Sequence, residues 1–146
     1  MDWPGLFAWV IFPTEIYFRN AQMKTAYDYL QDADAVVTRI SSADAIAKHA
    51  TGTGVWIDVR DSSDIAASGT IKGAHRVARG FIEFAADPAL PHHKEFMQKD
   101  ADIYLVCGAG GQAALAGKTL KDMGYNNVTN VGGIADWKAA DGPTEA

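Results

Sequence analysis

Cys107 is the only cysteine in the chain, and Gly108-Ala109-Gly110-Gly111-Gln112 follows it directly. A thiol ahead of three glycines in four positions (108, 110 and 111) suggests nucleophilic chemistry. Glycines let the backbone take conformations closed to side chains, so successive N–H groups can turn inward on one atom. A helix starting near Gln112 adds the positive end of its dipole. Both effects stabilise an anionic sulfur, the nucleophilic form of the thiol. The competing expectation is that a lone cysteine at the end of an apolar strand is a small core residue. Placement weighs toward function, because open α/β sheets bind ligands outside the carboxyl ends of their strands.

The elements that must position this thiol are legible on either side of it. Asp102-Ile-Tyr-Leu-Val106 is a short β-favouring run suited to a parallel strand covered on both faces. Ala113 to Met123 reads as a helix, stopped by Gly124. Upstream, Thr25–Asp34 has apolar residues at helical spacing and Val36–Ile40 reads as a strand. Ser41–Ala50 begins with capping serines and carries Asp44 in its first turn, which predicts another helix. Val55–Val59 predicts a strand, Asp64–Ser68 a short helix and loop, and Ala74–Val77 a brief strand. Phe81–Phe84 and His92–Lys99 predict short helices, Asn127–Val131 the last strand and Ile134–Ala140 a closing helix. Helices alternating with strands indicate an α/β domain built on a parallel sheet.

The 146 residues carry a net charge of −5, which argues against a nucleic-acid partner, since that function needs a basic face. A single cysteine excludes an internal disulfide and any cysteine-rich zinc site. Redox or transfer chemistry must therefore run on one sulfur, with no resolving thiol in the chain. The first residues differ from the rest. Trp3 to Phe12 is strongly apolar, too short to span a bilayer and broken by Pro4 and Pro13. It lacks a basic leader and a small-residue cleavage site, so it makes a poor signal peptide. Packing on the domain or a second subunit, shallow contact with a membrane surface, and an extension upstream of Met23 all remain open. Packing or an extension is favoured over membrane contact, because apolar patches are usually covered. One free thiol and no export signal set a reduced, cytoplasmic expectation.

Other residues could do chemistry. Asp58 and Arg60 bracket the end of a predicted strand, either as functional groups or as an architectural ion pair. Arg76 and Arg79 lie at the end of another predicted strand and could bring charge to an anionic substrate. His92 and His93 have no carboxylate or third ligand nearby, so no metal site is expected. Gly108 to Gly111 lacks the Gly-Lys-Ser/Thr ending of a phosphate loop and the spacing of a dinucleotide fingerprint.

Four separated stretches together resemble the signatures of single-domain rhodaneses. They are Ile57-Asp-Val-Arg-Asp61, Ser68-Gly-Thr-Ile-Lys-Gly-Ala-His75, Tyr104-Leu-Val-Cys-Gly-Ala-Gly-Gly-Gln112 and Val131-Gly-Gly-Ile-Ala-Asp-Trp137. Order and spacing agree from about Val36 to Pro143. The resemblance implies residues 25–146 as a single rhodanese-like α/β domain, its central parallel sheet flanked by helices on both faces, with residues 1–24 an apolar N-terminal extension. It implies a sulfurtransferase without a cofactor, in which Cys107 attacks the outer sulfur of a donor such as thiosulfate and forms a persulfide. Cyanide or a thiol, a protein thiol included, then removes the sulfur. Gly108, Ala109, Gly110, Gly111 and Gln112 would cradle that sulfur, Arg60 and Arg79 would bind the donor, and Asp58 would support Arg60.

One position departs from the family pattern. The loop of many active members closes with arginine, and here that residue is Gln112. An amide brings no charge and no bidentate fork for an oxyanion. The sequence therefore predicts a poorer thiosulfate enzyme, one serving an organic persulfide or a protein thiol, unless Arg60, Arg79 or Lys94 reaches the mouth. The alternative is a sulfur-carrier or protein-interaction module with little turnover. Related arsenate reductases and dual-specificity phosphatases close a longer loop around a tetrahedral oxyanion, so the six residues from Cys107 to Gln112 argue against that chemistry.

Overall fold

The structure, a computed structural model, describes residues 23–146. The expected N-terminal extension, residues 1–24, lies outside the described residues but for Met23 and Lys24. In chain order the elements are α1 (Ala26–Asp34), β1 (Thr38–Arg39), α2 (Ser42–Ala50), β2 (Val55–Asp58), α3 (Ser62–Ser68), β3 (Thr70–Ile71) and β4 (His75–Arg76). They continue through a 3₁₀ turn (Arg79–Phe81) to α4 (Ile82–Ala86), β5 (Ile103–Cys107), α5 (Gly111–Asp122), β6 (Val128–Gly133), α6 (Ile134–Ala139) and β7 (Thr144–Glu145).

Five strands form one parallel sheet in the order β1-β6-β5-β2-β4. Alternation along β5 explains how it is covered on both sides. Ile103, Leu105 and Cys107 face a core shared with Ile82, Ala113, Ala116 and Leu120 of α4 and α5. Val106 and Tyr104 face the other core, with Ala45 of α2 and Ile134 and Trp137 of α6. The α/β architecture with helices on both faces is thus as expected. The caps are local: Ser41 Oγ accepts from Asp44 N–H at 3.1 Å, and Thr25 and Asp28 form a reciprocal capping box at the start of α1.

Two readings change. Residues 92–99 form no helix but a series of turns, with Met97 N–H on Lys94 O and Lys94 N–H on Ala85 O. Tertiary contacts win over local propensity there: Met97 is buried and Phe96 stacks on His75 at 3.7 Å between ring centroids. The chain also adds β7, antiparallel to β3, as a two-strand ribbon outside the main sheet. Two residues per strand are too few to show a period.

Tyr125 anchors the irregular stretch before β5. It is wholly buried, and its hydroxyl donates to Ala86 O at 2.7 Å and lies 3.3 Å from Met97 O. Burial, with the Asp87 carboxylate second, pushes its phenol above the ordinary range, so it stays a neutral donor. Tyr125→Phe should cost about 1–2 kcal/mol, read by urea unfolding, because two buried carbonyls lose their donor. An unchanged midpoint would show that the hydroxyl holds nothing together.

Candidate active site around Cys107

All five strands of the main sheet point the same way, so Arg39, Asp58, Arg76, Cys107 and Gly133 gather at one edge. This is the carboxyl edge where open sheets hold ligands. Cys107 ends β5 beside a register shift against β6, and it is 1% exposed. Its Sγ accepts from Gly110 N–H at 3.0 Å and from Ala113 N–H at 3.3 Å. Gly110 precedes α5 at φ +103°, a left-handed conformation suited to glycine, and no side chain caps that helix. The sulfur therefore occupies the place of an N-cap acceptor. The first-turn N–H groups of Gly111 and Gln112 take no protein acceptor among the described residues.

Two neighbouring strands fix the loop from behind. Asn130 on β6 is buried; its Nδ2 donates to Gly110 O at 2.9 Å and its Oδ1 accepts from Gly132 N–H at 2.8 Å. Arg39 at the end of β1 donates from Nη2 to Ala109 O at 3.1 Å. Gly133 lets the loop close on β6, since a Cβ there would collide with Gly108 O and lie 2.9 Å from the Gly108 carbonyl carbon. A Cβ built on Gly108 would meet nothing within 4 Å.

A groove of about 310 Å³ lies beside the loop, lined by Gly108, Gln112, Arg60, Asp64, Ala67 and Ser68. Gln112 is exposed, and its side-chain amide has no protein partner among the described residues. Arg60 reaches the groove but is largely committed. Its Nη2 lies 2.7 Å from Asp58 Oδ2 and 2.7 Å from Gly69 O, and its Nη1 donates to Ser68 Oγ at 2.7 Å. Asp58 is wholly buried and also accepts from Thr70 Oγ1 at 2.8 Å and from Arg60 N–H at 3.0 Å. Charge and hydrogen-bonding capacity are thus spent inside the pair, and Arg60 holds the wall formed by α3 and β3.

Arg79 is not brought to this mouth. The 3₁₀ turn sets it against the middle of α5, with Nη2 3.1 Å from Thr119 Oγ1 and Nη1 3.0 Å from Glu83 Oε1. It lines a separate hollow that includes Tyr29, Leu30 and Leu115 and touches the loop only at Gly111. Lys94 does not line the groove, and Arg76 binds the Ala146 carbonyl at 2.5 Å. His93 Nε2 lies 3.1 Å from Met97 O, and His92 packs edge-on against Phe81. Arg39, Ala113 and Asn130 are the site residues the sequence reading missed. Asn130 adjoins the Val131-Gly-Gly stretch and could have been found; Arg39 carries no local signal.

The family model of the rhodanese-like domain matches residues 41–140. The chain belongs to the rhodanese-like family. Among solved structures, this rhodanese-like chain is similar to a Rhodopseudomonas palustris protein described as a possible tyrosine phosphatase. The two are 36% identical over 84% of this chain and 96% of that one, with a TM-score of 0.81. The polysulfide-sulfur transferase homodimer of Wolinella succinogenes is 27% identical over 80% of this chain and 83% of that one, TM-score 0.62. The human single-domain sulfurtransferase TSTD1 shares the fold at 23% identity, over 70% of this chain and 96% of that one, TM-score 0.62. No curated protein matches the sequence.

The buried pair sets a stability expectation. Arg60→Met leaves the Asp58 carboxylate without its cation and should cost about 3–5 kcal/mol, read as a lower denaturation midpoint. A loss below about 1 kcal/mol, typical of an exposed ion pair, would contradict the burial argument.

Proposed function

We propose that this rhodanese-like domain, residues 25–146, is a sulfurtransferase that carries sulfane sulfur as a persulfide on Cys107, with an organic or protein persulfide as preferred donor. The carrying observation is the pair of backbone N–H groups on Sγ, from Gly110 and Ala113, beside an uncharged Gln112. The Cys107 thiolate attacks the donor's outer sulfur. The donor's S–S bond breaks and its electron pair leaves with the donor as a thiolate (or as sulfite, from thiosulfate), while a new S–S bond forms on Cys107. The free N–H groups of Gly111 and Gln112 would hold the terminal sulfur, where negative charge collects. An acceptor thiolate or cyanide then takes that sulfur and Cys107 returns as a thiolate. A reducing, cytoplasmic setting suits a single free thiol.

Donor choice follows from charge. Thiosulfate presents a sulfonate-like end to the groove, where Arg60 is already neutralised by Asp58, Asp64 adds a carboxylate and Gln112 adds only an amide. A hydrogen bond to a charged partner is worth about 1.5–3 kcal/mol when charge-assisted, against about 1 for a neutral one. An organic persulfide needs no such cation. A second reading, phosphomonoester hydrolysis through a Cys107 phosphoenzyme, is favoured by the likeness to the Rhodopseudomonas palustris protein. Against it stands the lack, among the described residues, of an uncommitted cation in the groove for a phosphate dianion.

Steady-state sulfur transfer to cyanide separates these readings. Glutathione persulfide should outperform thiosulfate in kcat/KM, and Cys107→Ser should abolish both. Gln112→Arg should raise kcat/KM for thiosulfate by about tenfold, with little change for the organic donor. Cys107-dependent hydrolysis of p-nitrophenyl phosphate without sulfur transfer would replace the proposal with the phosphatase reading.

A further inference from the structure

The loop lacks an arginine of its own, yet a cation stands behind it. Arg39 lies on the edge strand β1, in register with Asn130 of β6. Its guanidinium is seated between two glycines. A Cβ on Gly110 would lie 2.8 Å from the guanidinium carbon, and a Cβ on Gly132 would lie 3.2 Å from Nη2. Both glycines have positive φ, +103° and +84°, so backbone conformation and the room for Arg39 are met by the same residues. No carboxylate pairs with Arg39 among the described residues.

Arg39 Nη2 holds the carbonyl of Ala109, and the N–H of that same peptide unit belongs to Gly110 and points at Cys107 Sγ. A trans peptide plane directs its C=O and N–H oppositely. Drawing the carbonyl toward Arg39 therefore aims the N–H at the sulfur, and the positive charge on the oxygen side polarises the amide in the same sense. Asn130 treats the next unit likewise: it holds Gly110 O, whose peptide partner is the free N–H of Gly111.

We propose that Arg39 is a positioning residue for Cys107, locking the Ala109–Gly110 peptide so that its N–H faces the sulfur and supplying from behind the loop the positive charge that Gln112 does not bring. The role rests on Cys107 as the reactive group of the proposed sulfurtransferase, but its test needs no sulfur donor or acceptor, so the two readings fail separately.

The test is alkylation of Cys107, the only thiol, by neutral iodoacetamide and anionic iodoacetate in wild type, Arg39→Gln and Arg39→Lys. In Arg39→Gln both rates at neutral pH should fall, and the iodoacetate-to-iodoacetamide ratio should fall on the order of threefold, as loss of one nearby partly screened charge predicts. Arg39→Lys should restore the ratio. Arg39→Met gives the same comparison if the glutamine variant does not fold. An unchanged ratio in the charge-removed variant overturns the proposal, because a charge at the site must act differently on an anionic and a neutral reagent; a rise in both rates, as a loosened loop uncovering the buried thiol would give, overturns it as well. A wild-type thiol inert to both reagents overturns it too.

Discussion

The Cys107 sulfur accepts N–H groups from Gly110 and Ala113 and stands where a side-chain cap would stand at the start of α5. Much of the surrounding structure follows from that hydrogen-bonded corner. The chain must leave β5, turn within three residues and enter a helix, all around one atom. Gly110 supplies the left-handed turn, Gly133 the clearance on the β6 side, and the short side chains of Ala113 and Ala116 let α5 pack on the sheet. The sulfur held this way is almost wholly covered.

Charge around this corner is distributed unevenly. In front of the loop, Arg60 is bound into a buried pair with Asp58 and to Ser68 and Gly69, so its contribution is architectural. Behind the loop, Arg39 has no carboxylate partner among the described residues and acts through the peptide it holds. The backbone donors thus converge on the sulfur atom, while the groove's arginine is already paired.

The strand–loop–helix corner at Cys107 was legible in the sequence because its signals are local: an apolar strand, one cysteine, three glycines and a helical run, contiguous in the chain. The alternation of elements likewise announced a parallel sheet covered on both faces. What escaped depends on spatial order. Arg39 and Ala109 are brought together because β6 and β1 lie in succession beside β5, an order that no short window of sequence contains. Arg79 follows a strand of the sheet, yet the 3₁₀ turn diverts it onto α5. Residues 92–99 have the composition of a short helix, but Phe96 and Met97 are held by partners in the fold and stay in turns.

The central claim, that Cys107 carries sulfur as a persulfide, is tested most directly by the intact mass of the protein after brief exposure to glutathione persulfide. Wild type should gain the mass of one sulfur atom, lose it on treatment with cyanide or dithiothreitol, and Cys107→Ser should gain nothing. No gain in wild type, or an equal gain in the serine variant, would contradict the account.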